Sequence, residues 1–249
     1  MSAPTVTAAV LVIGDEILSG RTKDKNIGYI AEYLARIGVD LKEARVVPDV
    51  EEEIVAALNA LRARYDYVIT TGGIGPTHDD ITADAVARAF GVPIGEDPRA
   101  IAIMLERYAE ADLTPARRRM TRMPEGSELI ENPISRAPGF RIGNVFVLAG
   151  VPSVMQAMLD GAVKAMRTGA VMQVATIEAG QVPEGRYGDP LAAIAEARPA
   201  VSIGSYPSFK DGRFMNQIVV RGRDGAAVAE ARAAVEAMLE RIRADGKPL

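Results

Sequence analysis

Residues 70–84, Thr-Thr-Gly-Gly-Ile-Gly-Pro-Thr-His-Asp-Asp-Ile-Thr-Ala-Asp, constrain this chain more than any other stretch, because they join an apolar run to a helix through glycines and then supply clustered acids. Tyr67 to Thr71 reads as a short buried strand. Gly72, Gly73 and Gly75 follow it, and glycine allows positive φ and lets a ligand approach bare backbone. Asp79, Asp80, Thr82 and Asp84 stand where a helix over residues 83–90 should begin. A helix start offers unpaired N–H groups and a partial positive charge, which suits a phosphate. The acids have two readings: they cap the helix, or they hold a divalent cation beside bound phosphate.

The segments before this stretch repeat one unit. Residues 5–13 form a nearly continuous apolar run, as a strand covered on both faces of a parallel sheet should. It ends in Gly14-Asp-Glu-Ile-Leu-Ser-Gly20. Asp24 is placed to cap a helix over residues 26–37, where Ile27, Ile30, Leu34 and Ile37 recur at helical spacing and Gly38 supplies the stop. Residues 39–47 read as the next strand, Pro48-Asp49 as its break, and residues 51–64 as a helix with Ile54, Leu58 and Leu61 on one face. Strands alternating with helices over such short connections imply right-handed parallel crossovers.

Further along, helices are expected over residues 98–108 and 115–123, the second carrying Arg117, Arg118 and Arg119 with Arg122 close behind. Such a run is usually a solvated helix face, with phosphate contact as the alternative. Leu129-Ile130 reads as a short strand, residues 132–139 as a loop of turn residues, residues 144–148 as a buried strand and residues 154–167 as a helix that Pro152 helps to start. Residues 1–169 are thus taken as one domain and residues 170–249 as a small β-α-β-β-α module, with a mobile loop at 180–188. In that module strands are expected at 171–177, 201–209 and 214–220, and helices at 189–197 and 226–242. Lys210-Asp-Gly-Arg213 is a hairpin signal.

A net charge of −4 argues against general nucleic-acid binding. The absence of cysteine removes thiolate and disulfide chemistry and suits a reducing compartment. No apolar run approaches the roughly 20 residues of a membrane span, and residues 5–13 lack the basic flank of a signal peptide, so a cytoplasmic protein with no membrane partner is expected. The chain also lacks a P-loop, a Gly-x-Gly-x-x-Gly after the first strand, zinc-type Cys/His spacing and a Gly-x-Ser-x-Gly elbow. What it offers is four loops on the carboxyl edge of one sheet: 14–20, 48–49, 72–84 and 150–152. Asp15, Glu16, Asp49, Asp79 and Asp80 place five carboxylates there. His78, the single histidine, is set aside as a bystander.

Taken together, Gly14-Asp-Glu-Ile-Leu-Ser-Gly20, Asp24-Lys-Asn26, Val47-Pro-Asp49, residues 70–82, Ala137-Pro-Gly139 and Ala149-Gly-Val-Pro-Ser153 resemble the molybdopterin-binding domain of the competence/damage-inducible protein A family. The resemblance runs from Val6 to about Arg167. It extends to molybdenum-cofactor biosynthesis proteins that adenylylate molybdopterin and to the N-terminal domain of eukaryotic FAD synthases. Two departures are Asp24-Lys-Asn in place of Asp-Thr-Asn, and Ala149 where proline is common. Larger members carry a nicotinamide-nucleotide deamidase domain, for which 249 residues leave no room.

The resemblance implies a three-layer α/β/α fold with a mostly parallel sheet, a homo-oligomer (dimer or trimer), and a small-molecule pterin or nucleotide bound through its pyrophosphate. It implies metal and catalytic roles for Asp49 and Asp80, and a phosphate-cradling turn at Thr71, Gly72, Gly73 and Gly75. Ligand contacts are expected from Gly14, Asp15, Glu16, Asn26, Thr77, Pro138, Gly139, Gly150 and Pro152. The leading expectation is a pyrophosphatase dependent on Mg²⁺ or Co²⁺ and acting on a substrate such as ADP-ribose or FAD. The alternatives are a non-catalytic molybdopterin carrier, a molybdopterin adenylyltransferase, and a structural or regulatory oligomer with a vestigial crevice.

Overall fold

The computed structural model describes residues 5–210 and 213–245, and it divides into two compact units, Met1–Gly169 and Ala170–Leu249. In the first unit β1 (Val6–Ile13) leads through the single turn α1 (Asp15–Leu18) into α2 (Asn26–Arg36). Then come β2 (Val39–Val47), α3 (Glu51–Arg64), β3 (Tyr67–Thr71) and α4 (Thr82–Phe90). β4 (Ile94–Glu96), α5 (Pro98–Leu105), α6 (Pro115–Arg119), β5 (Arg122–Pro124) and β6 (Glu128–Ile130) follow. The unit closes with β7 (Gly139–Ile142), β8 (Val145–Leu148) and α7 (Pro152–Ala162).

Six strands pair in the order β2-β1-β3-β8-β7-β6; the first four run parallel, and β7 and β6 pair antiparallel at the edge. The continuous apolar run of β1 follows from its central place. Val6, Ala8, Val10 and Val12 pack with Ile30 and Leu34 of α2 and Met155 and Met158 of α7. Ala9, Leu11 and Ile13 face the opposite way, against Ile54, Leu58 and Leu61 of α3 and Val86 of α4. Both faces are covered, which gives the three α/β/α layers expected. Each fully buried Val, Leu, Ile or Met among them contributes about 1.5–3 kcal/mol.

The register fixes where a ligand can bind. Ile13 pairs with Val47, Val12 with Thr71, and Thr71 with Leu148, so β1, β2, β3 and β8 end at one level. The chain passes from β1 to one side as β2 and returns to the other as β3, and such a switch point opens a crevice at the carboxyl ends of the strands.

Several sequence expectations change. The helix expected over 98–108 stops at Leu105. The one expected over 115–123 is only Pro115–Arg119, because Arg122–Pro124 leaves it to pair with Ile94–Glu96. The helix expected over 154–167 starts at Pro152, ends at Ala162 and passes into a 3₁₀ turn, Val163–Ala165. β7 lies partly in the expected loop 132–139 and forms a hairpin with β8.

The second unit contains β9 (Gln173–Gly180), α8 (Glu184–Glu196), β10 (Val201–Lys210), β11 (Arg213–Gly222) and α9 (Gly225–Ala244). Its antiparallel sheet has the order β10-β11-β9. Ile177, Ile218 and Val220 of the sheet pack with Tyr187 and Leu191 of α8 and Val235 and Leu239 of α9. α8 occupies much of the expected loop 180–188, despite Gly185, Gly188 and the internal Pro190. Burial of Tyr187 and Leu191 outweighs those weak helix formers, since packing supplies most helix stability in proteins. The antiparallel pairing of β10 and β11 matches the hairpin signal; its central Asp211-Gly212 lies outside the described residues.

Candidate functional site

The glycine turn after β3 is built by packing before any ligand is considered. Gly72 and Gly73 have φ of 102° and 66°, a region that side chains disfavour. A Cβ on Gly72 would collide with the Ile13 carbonyl, and one on Gly73 with the Thr82 hydroxyl. Thr82 is fully buried and pins the turn: its Oγ1 donates to the Gly72 carbonyl at 2.9 Å and its N–H to the Gly73 carbonyl at 3.0 Å. Thr82→Val keeps the shape but leaves the Gly72 carbonyl without that donor, so urea unfolding should show a loss of about 1–2 kcal/mol.

The acids of this stretch do not cap α4, whose N-cap is Ile81 with no side-chain hydrogen bond. Asp80 Oδ2 instead accepts from Thr77 N–H at 2.8 Å and Thr77 Oγ1 at 2.5 Å, closing the 77–80 loop, and lies 2.6 Å from where a Cβ of Gly75 would stand. Asp84 takes a two-pronged bond from Arg122 at 2.6 and 2.8 Å. The other arginines of the run divide similarly. Arg117 stacks on Tyr108, Arg118 pairs with Glu96 at 3.0 Å, and Arg119 donates to the Asp80 carbonyl at 3.3 Å. The run is therefore neither a bare solvated face nor a shared phosphate clamp.

Above the strand ends lies a cavity of about 520 Å³, and all four expected loops line it. Of the expected residues, Gly14, Glu16, Asp49, Gly72, Gly73, Gly75, Asp80, Gly150 and Pro152 meet there. Asn26 and Thr71 line an adjoining cavity of about 60 Å³, which shares Ile13, Glu16, Gly72 and Gly150 with the larger one. Pro138 lines a third, of about 20 Å³, with Gly73, Gly75 and Arg119. Asp15 reaches the site by its backbone, donating N–H to Asp49 Oδ2 at 2.9 Å, and Thr77 acts on Asp80 as described. Gly139 is a β7 residue on which a Cβ would strike the Val147 carbonyl, so packing accounts for it. The His78 side chain is 99% exposed. Sequence reasoning missed Thr82 as the pin of the turn. It also missed Asn132, a cavity-lining residue whose side chain organises the following loop through Ser135 and Ala137; Asn-Pro in a turn was the available signal.

The charge of the large cavity is one-sided. Its lining carries the carboxylates of Glu16, Asp49, Asp79 and Asp80 and, among the described residues, no lysine or arginine. Burial holds the Asp49 carboxyl above its ordinary value; the charges of Asp15, Glu16 and Asp79 add to this, and the hydrogen bond from Asp15 only partly offsets it. A raised carboxyl means the folded state disfavours ionisation, so this contribution to stability falls as pH rises from below the unfolded value near 3.8. Asp49→Asn, which keeps an acceptor for Asp15, should melt higher than the parent at pH 7 in chelator. The difference should vanish at about pH 3, below the ordinary aspartate range.

Positive character comes from the backbone. Gly72 N–H is bonded to the Leu148 carbonyl at 3.3 Å, but among the described residues the N–H groups of Gly73, Ile74 and Gly75 have no protein acceptor. Consecutive free N–H groups in a turn form an anion-binding concavity. Among the described residues no three His, Cys, Asp or Glu side chains gather as a metal cage. The donor set fits a hard cation held by one or two carboxylates jointly with a ligand phosphate, and does not fit a closed all-protein site.

Residues 9–168 match the family model described as a probable molybdopterin binding domain, and residues 177–245 match the middle domain of FAD synthase. A CinA-like protein of Citrifermentans bemidjiense is 45% identical over 168 residues, which are 65% of this chain and 40% of that relative. The chain thus spans well under half the length of that relative. A protein of Aeropyrum pernix is 32% identical over 247 residues, covering 95% of this chain and 92% of its own. Among solved structures, the protein CinA of unknown function from Thermoplasma acidophilum superposes with a TM-score of 0.60 at 36% identity, over 64% of this chain and 96% of that one. No described helix is long and apolar enough to cross a membrane. With a family match over more than half its length and a relative aligned almost end to end, the chain belongs to the molybdopterin-binding-domain family together with the CinA-like proteins.

Proposed function

We propose that the carboxyl-edge crevice binds the pyrophosphate of a pterin or nucleotide and that the protein hydrolyses it, on substrates of the ADP-ribose or FAD type. The observation that carries this reading is the trio of acceptor-free N–H groups at Gly73, Ile74 and Gly75, lining a cavity of about 520 Å³ beside Asp49 and Asp80. That volume lies within the usual range for small-molecule sites. The N–H groups hold the phosphate oxygens and orient the bridging oxygen. Asp80, fixed by Thr77, and Asp49, fixed by Asp15, present their carboxylates toward the same ligand. Asp49 and Asp80 are the residues that would hold a divalent cation, which when bound would supply charge neutralisation and acidify a water. Burial first, and then the charges of Asp15, Glu16 and Asp79, hold the Asp49 carboxyl above its ordinary value, and a bound cation would offset that cost. The same reading takes the chain as a homo-oligomer.

The test mixes the purified protein with ADP-ribose or FAD and Mg²⁺ or Co²⁺ and follows AMP by chromatography, with light scattering for the assembly state. AMP release that requires the metal is the expected result. Ligand-dependent stabilisation without AMP in any combination leaves the binding role and removes the hydrolase, since a ligand of the folded state alone must raise its melting temperature.

A further inference from the structure

The small unit has a cavity of its own, about 320 Å³, where the turn joining β9 to α8 meets the last turn of α9. Two guanidinium groups line it, Arg186 of α8 and Arg243 of α9, and no lining residue is acidic. The acids nearest to the turn in the chain are engaged elsewhere: Glu184 accepts from Ser205 Oγ, and Glu178 from Gln217 Nε2 at 2.8 Å. Like charges on one cavity repel, and a counter-charge between them removes that cost. The walls are fixed before anything binds. Arg243 Nη2 donates to the carbonyls of Glu178 at 2.9 Å and Ala179 at 3.3 Å, and Arg186 Nη2 to that of Ile242 at 3.2 Å. Beneath the turn, the buried Asn216 donates from Nδ2 to the Val182 carbonyl at 2.8 Å. A guanidinium carries five N–H donors in one plane, and Arg243 spends only one nitrogen on these carbonyls, so its Nε and Nη1 have no acceptor among the described residues.

Tying carbonyls explains why donors stand at these two positions, but a neutral donor would serve a carbonyl as well. It does not explain two cations on one open space. The rest of the lining is apolar, from Ala179, Val182, Pro183 and Ile242, with the Gln181 amide as its neutral polar group. The volume falls within the range of small-molecule sites and leaves room beyond a bare inorganic anion. Two cations are balanced by a dianion, and the planar guanidinium fork matches the paired oxygens of a carboxylate or phosphate. We infer that the small unit binds a compact organic dianion, a phosphate monoester or a dicarboxylate, with its charge on Arg186 and Arg243 and its carbon body against the apolar wall. The site lies wholly within the second unit and stands or falls independently of the crevice.

Its test is a ¹H–¹⁵N titration of the whole chain with glycerol 2-phosphate and with succinate at constant ionic strength. The amides of Gly180, Gln181 and Val182 report this cavity, and those of Gly73, Ile74 and Gly75 report the crevice. Saturable shifts at the first set are expected, and the tighter of the two ligands identifies the source of the dianion. Succinamate, which keeps the carbon body but only one charge, should bind about tenfold weaker than succinate or more, the scale of a charge-assisted hydrogen bond. Arg186→Gln and Arg243→Gln should each weaken the dianions by a similar factor. Arg243→Lys should fall between parent and Arg243→Gln, because it keeps the charge and loses the fork. No saturable shift at Gly180 to Val182 with either dianion overturns the site and leaves the crevice reading untouched. Equal affinity for sulfate marks an adventitious ion only and also overturns it. Should a glutamine variant fail to fold, the comparison of succinate with succinamate on the parent chain still decides the matter.

Discussion

Gly72→Ala should unfold with about 3–4 kcal/mol less stability than the parent and should bind no phosphate ligand, as read by urea denaturation and by thermal shift with pyrophosphate. Two separate costs produce that size. The residue has φ of 102°, and a Cβ there would strike the carbonyl oxygen of Ile13, which ends an interior strand packed on both faces and cannot retreat. Relief requires β1 and β3 to part at the level where the crevice loops begin. Gly20→Ala is the matched control. It also has positive φ, 73°, but nothing surrounds it, so it should show only the conformational penalty, about 1–2 kcal/mol, with ligand binding retained.

Asp80→Asn should lower turnover by about 100-fold or more while shifting stability by less than about 0.5 kcal/mol. The asymmetry follows from what Asp80 does locally. Its Oδ2 accepts from Thr77 N–H and Oγ1, and an asparagine oxygen can accept both bonds, so the 77–80 loop keeps its shape. The negative charge is what disappears. A fall in stability comparable to the fall in rate would mean that the carboxylate serves the loop alone. Steady-state kinetics paired with urea melts of the same preparation separates the two outcomes.

The first unit was largely legible in the sequence because its elements are built from strong periodic signals. β1 lies between two packed faces and reads as continuous apolar residues, and α3 carries Ile54, Leu58 and Leu61 at helical spacing. The convergence of four loops followed from strand order alone, and the register at Ile13, Val47, Thr71 and Leu148 brings their ends level. Short elements held by distant partners were not legible. Arg122–Pro124 looks like the tail of an arginine-rich helix, yet pairing with Ile94–Glu96 and the bond from Arg122 to Asp84 make it a strand. β7 is four residues long and begins at Gly139, the last of a run of turn residues, so its strand character comes from pairing with β6 and β8. In α8 the glycines and Pro190 obscure a helix held by burial of Tyr187 and Leu191. Within the site, spacing located Gly72 to Gly75 but could not show that Thr82 clamps them, nor that Asp24, Asn26 and Thr71 leave oxygens without partners. Those are consequences of three-dimensional packing between segments far apart in the chain.

Amide chemical shifts during titration with inorganic pyrophosphate test most directly whether the turn after β3 receives an anion. With Mg²⁺ present throughout, the ¹⁵N–¹H resonances of Gly73, Ile74 and Gly75 should move together and saturate. Gly72, whose N–H is already bonded to the Leu148 carbonyl, should move less. Saturable shifts confined to other parts of the chain, with these three amides unmoved, would contradict the account.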